Sequence, residues 1–286
     1  MINVAATLAR LAAAAVLLTT AGAALADPKY PDFSGQWVRI AVPGLPGQPS
    51  YDPTKGWGKY QQAPLTADYQ AILDANIKDQ ENGGHGKFLG WTCLPYGMPM
   101  MMYGFLPIEL VVTPKTTYVL EGFMDALRRI YTDDRDFADV EPTWQGYSVG
   151  RWIDVDGDGT YDVLEVETRN FKGPRYFDEG GIPLHVDNQS IFKERFYLDK
   201  DNPDILHDEL TTIDHALSRP WTVVRNYRRA KSDKPVWIEF LCNENNPHVM
   251  IAGDNYYLSA DGLLMPARKN QSPPDLRYFK RSEGRP

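Results

Sequence analysis

From about residue 90 onward, short apolar runs alternate with clusters of Gly, Pro, Asn and Asp. Runs rich in β-branched and aromatic residues fall at 108–113, 117–121, 128–132, 148–153, 162–168, 189–197, 207–213 and 221–227, with two later ones at 236–241 and 256–258. Phe192, Glu194 and Phe196 alternate with Lys193, Arg195 and Tyr197, the two-residue period of a half-buried strand. Strands at such regular spacing predict a β-sandwich or a β-barrel. A strand–helix–strand rhythm of about 30 residues is missing, which argues against a parallel α/β sheet. One helix is expected ahead of the strands, over 66–80. Thr66 can cap it, Asp68 sits where the helix dipole favours negative charge, and Ile72, Leu73 and Ile77 make an apolar face. Gly83, Gly84 and Gly86 end it. The preceding stretch, 41–64, holds five prolines and reads as a long surface loop.

The first 26 residues follow a different logic. They carry one charged side chain, Arg10, then an Ala/Leu/Val-rich run closing on Ala24-Leu25-Ala26, the small-x-small site of a cleaved signal peptide. The run is shorter than the ~20 residues a bilayer span needs. The expected arrangement is therefore a signal at 1–26 and a single β domain over 27–286, periplasmic or secreted and not inserted in the membrane. A formal charge of −8 argues against nucleic acid, whose phosphates require a basic face, and against anionic membrane surfaces. The chain has two cysteines, Cys93 and Cys242. In an oxidising compartment such a pair is expected to be bridged, with two unrelated buried thiols as the alternative.

The most specific motif is Asp154-Val-Asp156-Gly-Asp158-Gly159-Thr160-Tyr-Asp162-Val-Leu-Glu165, which fits the calcium pattern D-x-D-x-D-G-x5-E. Calcium takes six to eight hard oxygens, so alternating carboxylates must converge while glycine permits the reversal. The expected ligands are Asp154, Asp156, Asp158, the Thr160 carbonyl and Asp162. The flanks are strand-like, and the loop resembles the D-x-D-G-D-G-x-x-D loops of integrin-type repeats. There the ninth position closes the site, which points to Asp162 rather than Glu165. The ion's expected role is structural. A metal-free Asp/Gly-rich hairpin is the alternative.

Several segments resemble a large family of exported bacterial proteins. They are Asp32-Phe-Ser-Gly-Gln-Trp37, Cys93-Leu-Pro-Tyr-Gly-Met-Pro99, Arg129-Ile-Tyr-Thr-Asp133, Gly150-Arg-Trp152, Glu194-Arg195, Ile213-Asp214, Pro220-Trp221 and Cys242-Asn-Glu244. Met100 stands where that family commonly has arginine, and the Asp154–Asp162 loop replaces a shorter turn. The resemblance implies architecture and the cysteine pairing, not an activity. Gly35-Gln36-Trp37 is also similar to the G-x-W start of lipocalin-like barrels, in which the tryptophan plugs one end beneath an arginine from a late strand. Arg225 and Arg228 are the candidate partners. Together these resemblances favour a mainly β, antiparallel calycin-like barrel with one short helix and long loops.

Chemistry is less legible. The chain has no nucleophile elbow, no Gly-rich phosphate loop and no histidines at short metal spacing. What remains is a set of ionisable residues on or beside strands. Glu194, between two phenylalanines, would have its pKa raised by desolvation if it faced inward, as a general acid or base near neutrality needs. Glu194, His185 and Asp214 are the acid/base candidates, His185 together with Asp187. Tyr131 and Arg195 are candidates for stabilising developing negative charge. Structural salt bridges account for the same residues. Met98, Met100, Met101 and Met102 could line a pocket or fill a core. The expected function is handling of an apolar or aromatic small molecule, as a cofactor-free lyase, isomerase or hydrolase. The alternatives are a carrier without chemistry and a structural envelope protein.

Overall fold

The computed structural model describes residues 29–40, 63–84, 86, 93–104, 106–123, 126–178, 181–232, 234–238, 240, 242, 246–275 and 277. The expected signal and nearly all of the proline-rich loop lie outside them. Nine strands close into a barrel: β1 (Gln36–Arg39), β2 (Ile108–Val112), β3 (Thr116–Glu121), β4 (Ala126–Tyr131), β5 (Tyr147–Ile153), β6 (Val163–Arg169), β7 (Ile191–Leu198), β8 (Ile205–Ile213) and β9 (Trp221–Arg229). Each neighbours its predecessor and β9 returns to β1, so no barrel edge is left unpaired. The mainly β barrel with one helix, α1 (Ala67–Glu81), is the expected architecture: the apolar runs left sandwich and barrel open, and the resemblance to lipocalin-like barrels favoured the barrel.

Three features differ from that expectation. First, β4 and β5 pair in parallel, Ile130 opposite Ser148 and Tyr131 opposite Val149. Parallel neighbours need a crossover, and residues 132–146 supply it along the outer wall. Second, the run at 236–241 builds no strand among its described residues. Val236, Trp237 and Ile238 are exposed, and only Phe240 bridges, to Phe123. The closed barrel has no free edge for it to join. Third, a separate antiparallel sheet follows, made of β10 (His248–Ile251), β11 (Asp254–Leu258) and β12 (Leu264–Pro266). Only β11 is long and aromatic enough to stand out in the sequence. Cys93 and Cys242 pair with Cα atoms 5.5 Å apart.

The barrel interior is packed. Trp37, Ile108, Val119, Leu164, Phe192 and Phe196 each have 0 % of their surface exposed. A void that admitted water beside them would show as exposed surface. Burying a phenylalanine this completely is worth about 1.5–3 kcal/mol. The methionine-rich stretch is part of this filling. Met98, Met100, Met101 and Met102 are buried, the last three in a 3-10 turn over Met100–Tyr103. Arg225 Nη1 donates to the Pro99 carbonyl at 2.7 Å, and the Tyr227 hydroxyl donates to the Met102 carbonyl. These methionines pack the core; they do not line a pocket.

Trp37 closes one end, its Nε1 donating to the Phe33 carbonyl at 2.9 Å. The arginine over its ring, at 4.3 Å, is Arg229, not Arg225 or Arg228. The β1–β9 register sets Trp37 opposite Arg229. Arg225 is buried further along the strand and Arg228 faces solvent. At the other end α1 is fastened to the turn after β8. The Thr66 N–H donates to the Ala216 carbonyl (2.9 Å), the Ser218 N–H to the Pro64 carbonyl (2.8 Å), and Leu65 bridges Leu217. The helix buries Leu73 and Asn76, while Ile72, expected on the apolar face, is exposed. Leu73, with Ile77 one turn further on, packs against the core, and Ile72, about 100° round the axis from Leu73, falls outside that contact.

Candidate functional site

Glu194 faces inward, as strand alternation predicts, but its partner is Arg128. The guanidinium donates to Glu194 Oε1 at 2.9 Å through Nη1 and to Oε2 through Nη2, to Ser148 Oγ at 3.0 Å and to Thr168 Oγ1 at 2.7 Å. All four side chains are buried. The network is internally satisfied, which makes it a structural element of the core. Tyr131 and Arg195 do not join it. Both fall on the outward parity of their strands: Arg195 is 3.5 Å from Glu165, and Tyr131 lies under Arg135, 4.0 Å from its ring, beside Tyr147. The sheet stands between them and Glu194, so the five expected catalytic residues do not form one site. Arg195 belongs to a groove of about 730 Å³ on the outer wall, beneath residues 134–137. Cross-strand pairs lace its floor, such as Arg151 with Glu165 at 2.8 Å. Exposed pairs of this kind contribute little to stability.

The lumen also holds a carboxyl that sequence reasoning missed. Asp208 is fully buried, and neither of its oxygens has a hydrogen-bond partner among the described residues. Burial pushes its pKa well up, the charge of Glu194 adds to this, and Arg225 and Arg128 oppose it. The available signal was parity, since Asp208 shares the inward face of β8 with Leu206 and Leu210. The folded state therefore holds a proton that the unfolded chain releases near the ordinary carboxylate pKa. Stability is greatest below that value and falls as pH rises toward the folded pKa, by up to ~1.4 kcal/mol per pH unit. Asp208→Asn cannot titrate. Its melting temperature is expected to gain on the wild type as pH rises above about 4; curves that stay parallel would overturn this assignment.

At the α1 end three sequence-distant segments converge. His185 and Asp187 lie in the connection from β6 to β7, His215 in the turn after β8, and Tyr69 in the first turn of α1. Asp187 Oδ2 is 2.5 Å from His215 Nδ1 and Asp187 Oδ1 is 3.2 Å from His185 Nδ1. The His185 ring is 5.5 Å from that of His215 and 5.7 Å from that of Tyr69. Burial and hydrogen bonding pull the Asp187 carboxyl in opposite directions. Partial desolvation raises its pKa, but the Gln189 N–H, the His215 ring and the charges of both histidines prevail and hold it below the usual range. The Tyr69 hydroxyl is pushed up by burial and by the charges of Asp214 and Asp187, so it stays protonated at neutral pH.

Asp214, expected as an acid or base, lies beneath this cluster as its tie. Its Oδ1 accepts the N–H groups of His185 and Ala216, each at 2.8 Å, and its Oδ2 accepts the Ser190 hydroxyl. It thereby fixes the segment bearing His185 against the segment bearing His215. Buried Arg175 completes the base, donating to Ser190 Oγ at 2.7 Å and to the His185 carbonyl. Desolvation lowers the Arg175 pKa, while Asp214 and Asp187 support its charge.

The aspartate-rich loop joins β5 to β6 at the opposite end of the barrel. Asp154, Asp156 and Asp162 offer oxygens within 4.8 Å of one another. Asp154 accepts the N–H groups of Gly157 (2.7 Å) and Gly159 (2.9 Å), and Asp162 that of Val155 (2.7 Å). Asp158 holds Thr160 through the backbone N–H and the hydroxyl. These bonds hold its carboxyl below the usual range, the hydroxyl contributing most. Glu165 points away, to Arg151 and Arg195. No protein-family model matches the chain and no curated protein matches it. Its class is accordingly defined by the fold: a closed nine-stranded β-barrel with a histidine–aspartate cluster at one mouth.

Proposed function

We propose that this is an exported small-molecule-handling barrel whose reacting centre is the cluster of Tyr69, His185, Asp187 and His215, operating by acid/base chemistry as a lyase, isomerase or hydrolase. The observation that carries this reading is the 2.5 Å contact between Asp187 and the exposed His215 ring. A carboxylate on Nδ1 orients an imidazole and stabilises its protonated form, leaving Nε2 to accept a substrate proton. Tyr69, protonated at neutral pH, is the donor on the facing wall. Because the barrel interior is packed, an apolar or aromatic substrate sits at the mouth, against the rings of Tyr69, His185 and His215.

The test begins with mass spectrometry of compounds that co-purify with the protein from its native export compartment. Turnover of the compound found is then compared in wild type and His215→Ala. A loss of about 10²–10⁴-fold in kcat is expected. Turnover unchanged in the variant would remove His215 from the chemistry, and a bound compound that is never turned over would make the protein a carrier.

The loop at 154–162 is, in this reading, a structural calcium clamp formed by Asp154, Asp156, Asp158, the Thr160 carbonyl and Asp162. Its supports are the convergence of three carboxylates and its distance from the reacting centre. The loop also holds the start of the described chain: the Tyr161 N–H donates to the Lys29 carbonyl at 2.8 Å, and Tyr30 packs on Tyr161 and Trp152. Chelation of calcium is expected to lower the melting temperature, and excess calcium to restore it. An Asp156→Asn variant should melt low and respond weakly. Identical melting with and without chelator would sink the clamp.

A further inference from the structure

We infer that His185, Asp187 and His215 form a binding site for a divalent first-row transition ion of the zinc type. It goes beyond the acid/base reading of the same cluster: an ion on His215 Nδ1 and Asp187 would take the contact that reading uses, so the two are tested separately. One ligand atom from each of His185, Asp187 and His215 lies within 4.8 Å of the other two. With metal–donor bonds of about 2.0–2.2 Å, donors along a tetrahedral edge are about 3.4 Å apart. The His185–Asp187 separation of 3.2 Å meets this. The His215 ring, 61 % exposed, has room to withdraw by less than about 1 Å.

The bonding around the cluster is a second observation. His185 Nδ1 lies 3.2 Å from Asp187 Oδ1 and is otherwise met, among the described residues, only by the Asp187 backbone N–H at 3.1 Å. An ion between the ring and the carboxylate would bond both and replace that amide contact. Asp214, by accepting the N–H groups of both histidine-bearing segments, holds the donors in place before any ion arrives, as a preorganised site requires.

The donor set selects the ion. Two imidazoles with one carboxylate suit zinc and its first-row neighbours, whereas calcium takes oxygen ligands throughout. The 154–162 loop and this site are therefore chemically separate. Three protein ligands leave a coordination position on the solvent side, the arrangement of zinc sites that act on a water or a substrate.

The test uses the full mature chain, stripped with chelator and returned to excess calcium so that the aspartate loop is not the target. Calorimetric titration with Zn²⁺, and visible absorption with Co²⁺, should report one ion per chain. His215→Ala and Asp187→Asn are each expected to weaken binding at least tenfold. Asp154→Asn should bind as the wild type does, and melting curves confirm that the variants are folded. No zinc binding by the wild type, or equal binding by wild type and His215→Ala, would overturn the ion site. If zinc does not bind yet His215→Ala still abolishes turnover, the acid/base centre stands and the ion falls. If zinc binds and His215→Ala turns over normally, the ion site stands and the catalytic assignment falls.

Discussion

Glu194→Gln is expected to cost about 3–5 kcal/mol of folding stability, an effect on the core and not on catalysis. The variant keeps the shape of the side chain but leaves the Arg128 guanidinium without its counter-charge in a site that is 1 % exposed. A charge stripped of both water and partner carries its full desolvation cost. Removing the pair together behaves differently. Arg128→Met with Glu194→Leu exchanges two buried ions for apolar volume and should recover most of the loss, because the attraction within the pair little more than offsets its desolvation. Ser148 and Thr168, which accept from Arg128, still hydrogen-bond each other at 2.9 Å, so neither is stranded. Denaturant unfolding of the three variants gives the comparison. A Glu194→Gln midpoint equal to that of the wild type would show that this ion pair is not the keystone of the lumen.

Cys242→Ser, or reduction of the wild type, is expected to lower stability by about 3–5 kcal/mol and the melting temperature by roughly 10 °C. The bridge joins residues 149 positions apart, so its loss frees a very long loop in the unfolded chain. It also releases the segment at 93–104, whose methionines fill the barrel, from the chain beyond β9. The loss should grow under conditions that favour an expanded unfolded state. Equal melting temperatures with and without reductant would show that the thiols are unpaired in solution.

The cluster at the α1 end shows how far a sequence can be read toward a site. His185, Asp187, Asp214 and His215 all stand out as ionisable residues beside strands, and His185 with Asp187 as a local pair. Nothing in their spacing says that residue 215 returns to residue 187, or that Tyr69 from the helix comes to lie beside them. That contact is made by closing the barrel, which sets the β6–β7 connection against the β8–β9 turn. The roles also change once partners are known. Asp214 becomes a tie between backbone segments, and Glu194 the counter-ion of Arg128. Strand parity excludes Arg195 and Tyr131 from the interior, and for Arg195 the alternation with Glu194 already carried it.

The local character of the chain was legible in its residues. Short β-branched and aromatic runs between turn residues placed β2 through β9, α1 starts just after Thr66 as read although the Thr66 side chain makes no cap bond, and the aspartate loop was read from its own spacing. These patterns are legible because the interactions behind them span a few residues. Tertiary structure alone decided the parallel β4–β5 pairing, the choice of Arg229 over Trp37, the burial of Asp208 in the lumen and the meeting of two histidines with one aspartate. Each depends on which residues closure brings face to face across scores of positions, and burial, charge and hydrogen bonding at such points are properties of the contact and not of either segment alone.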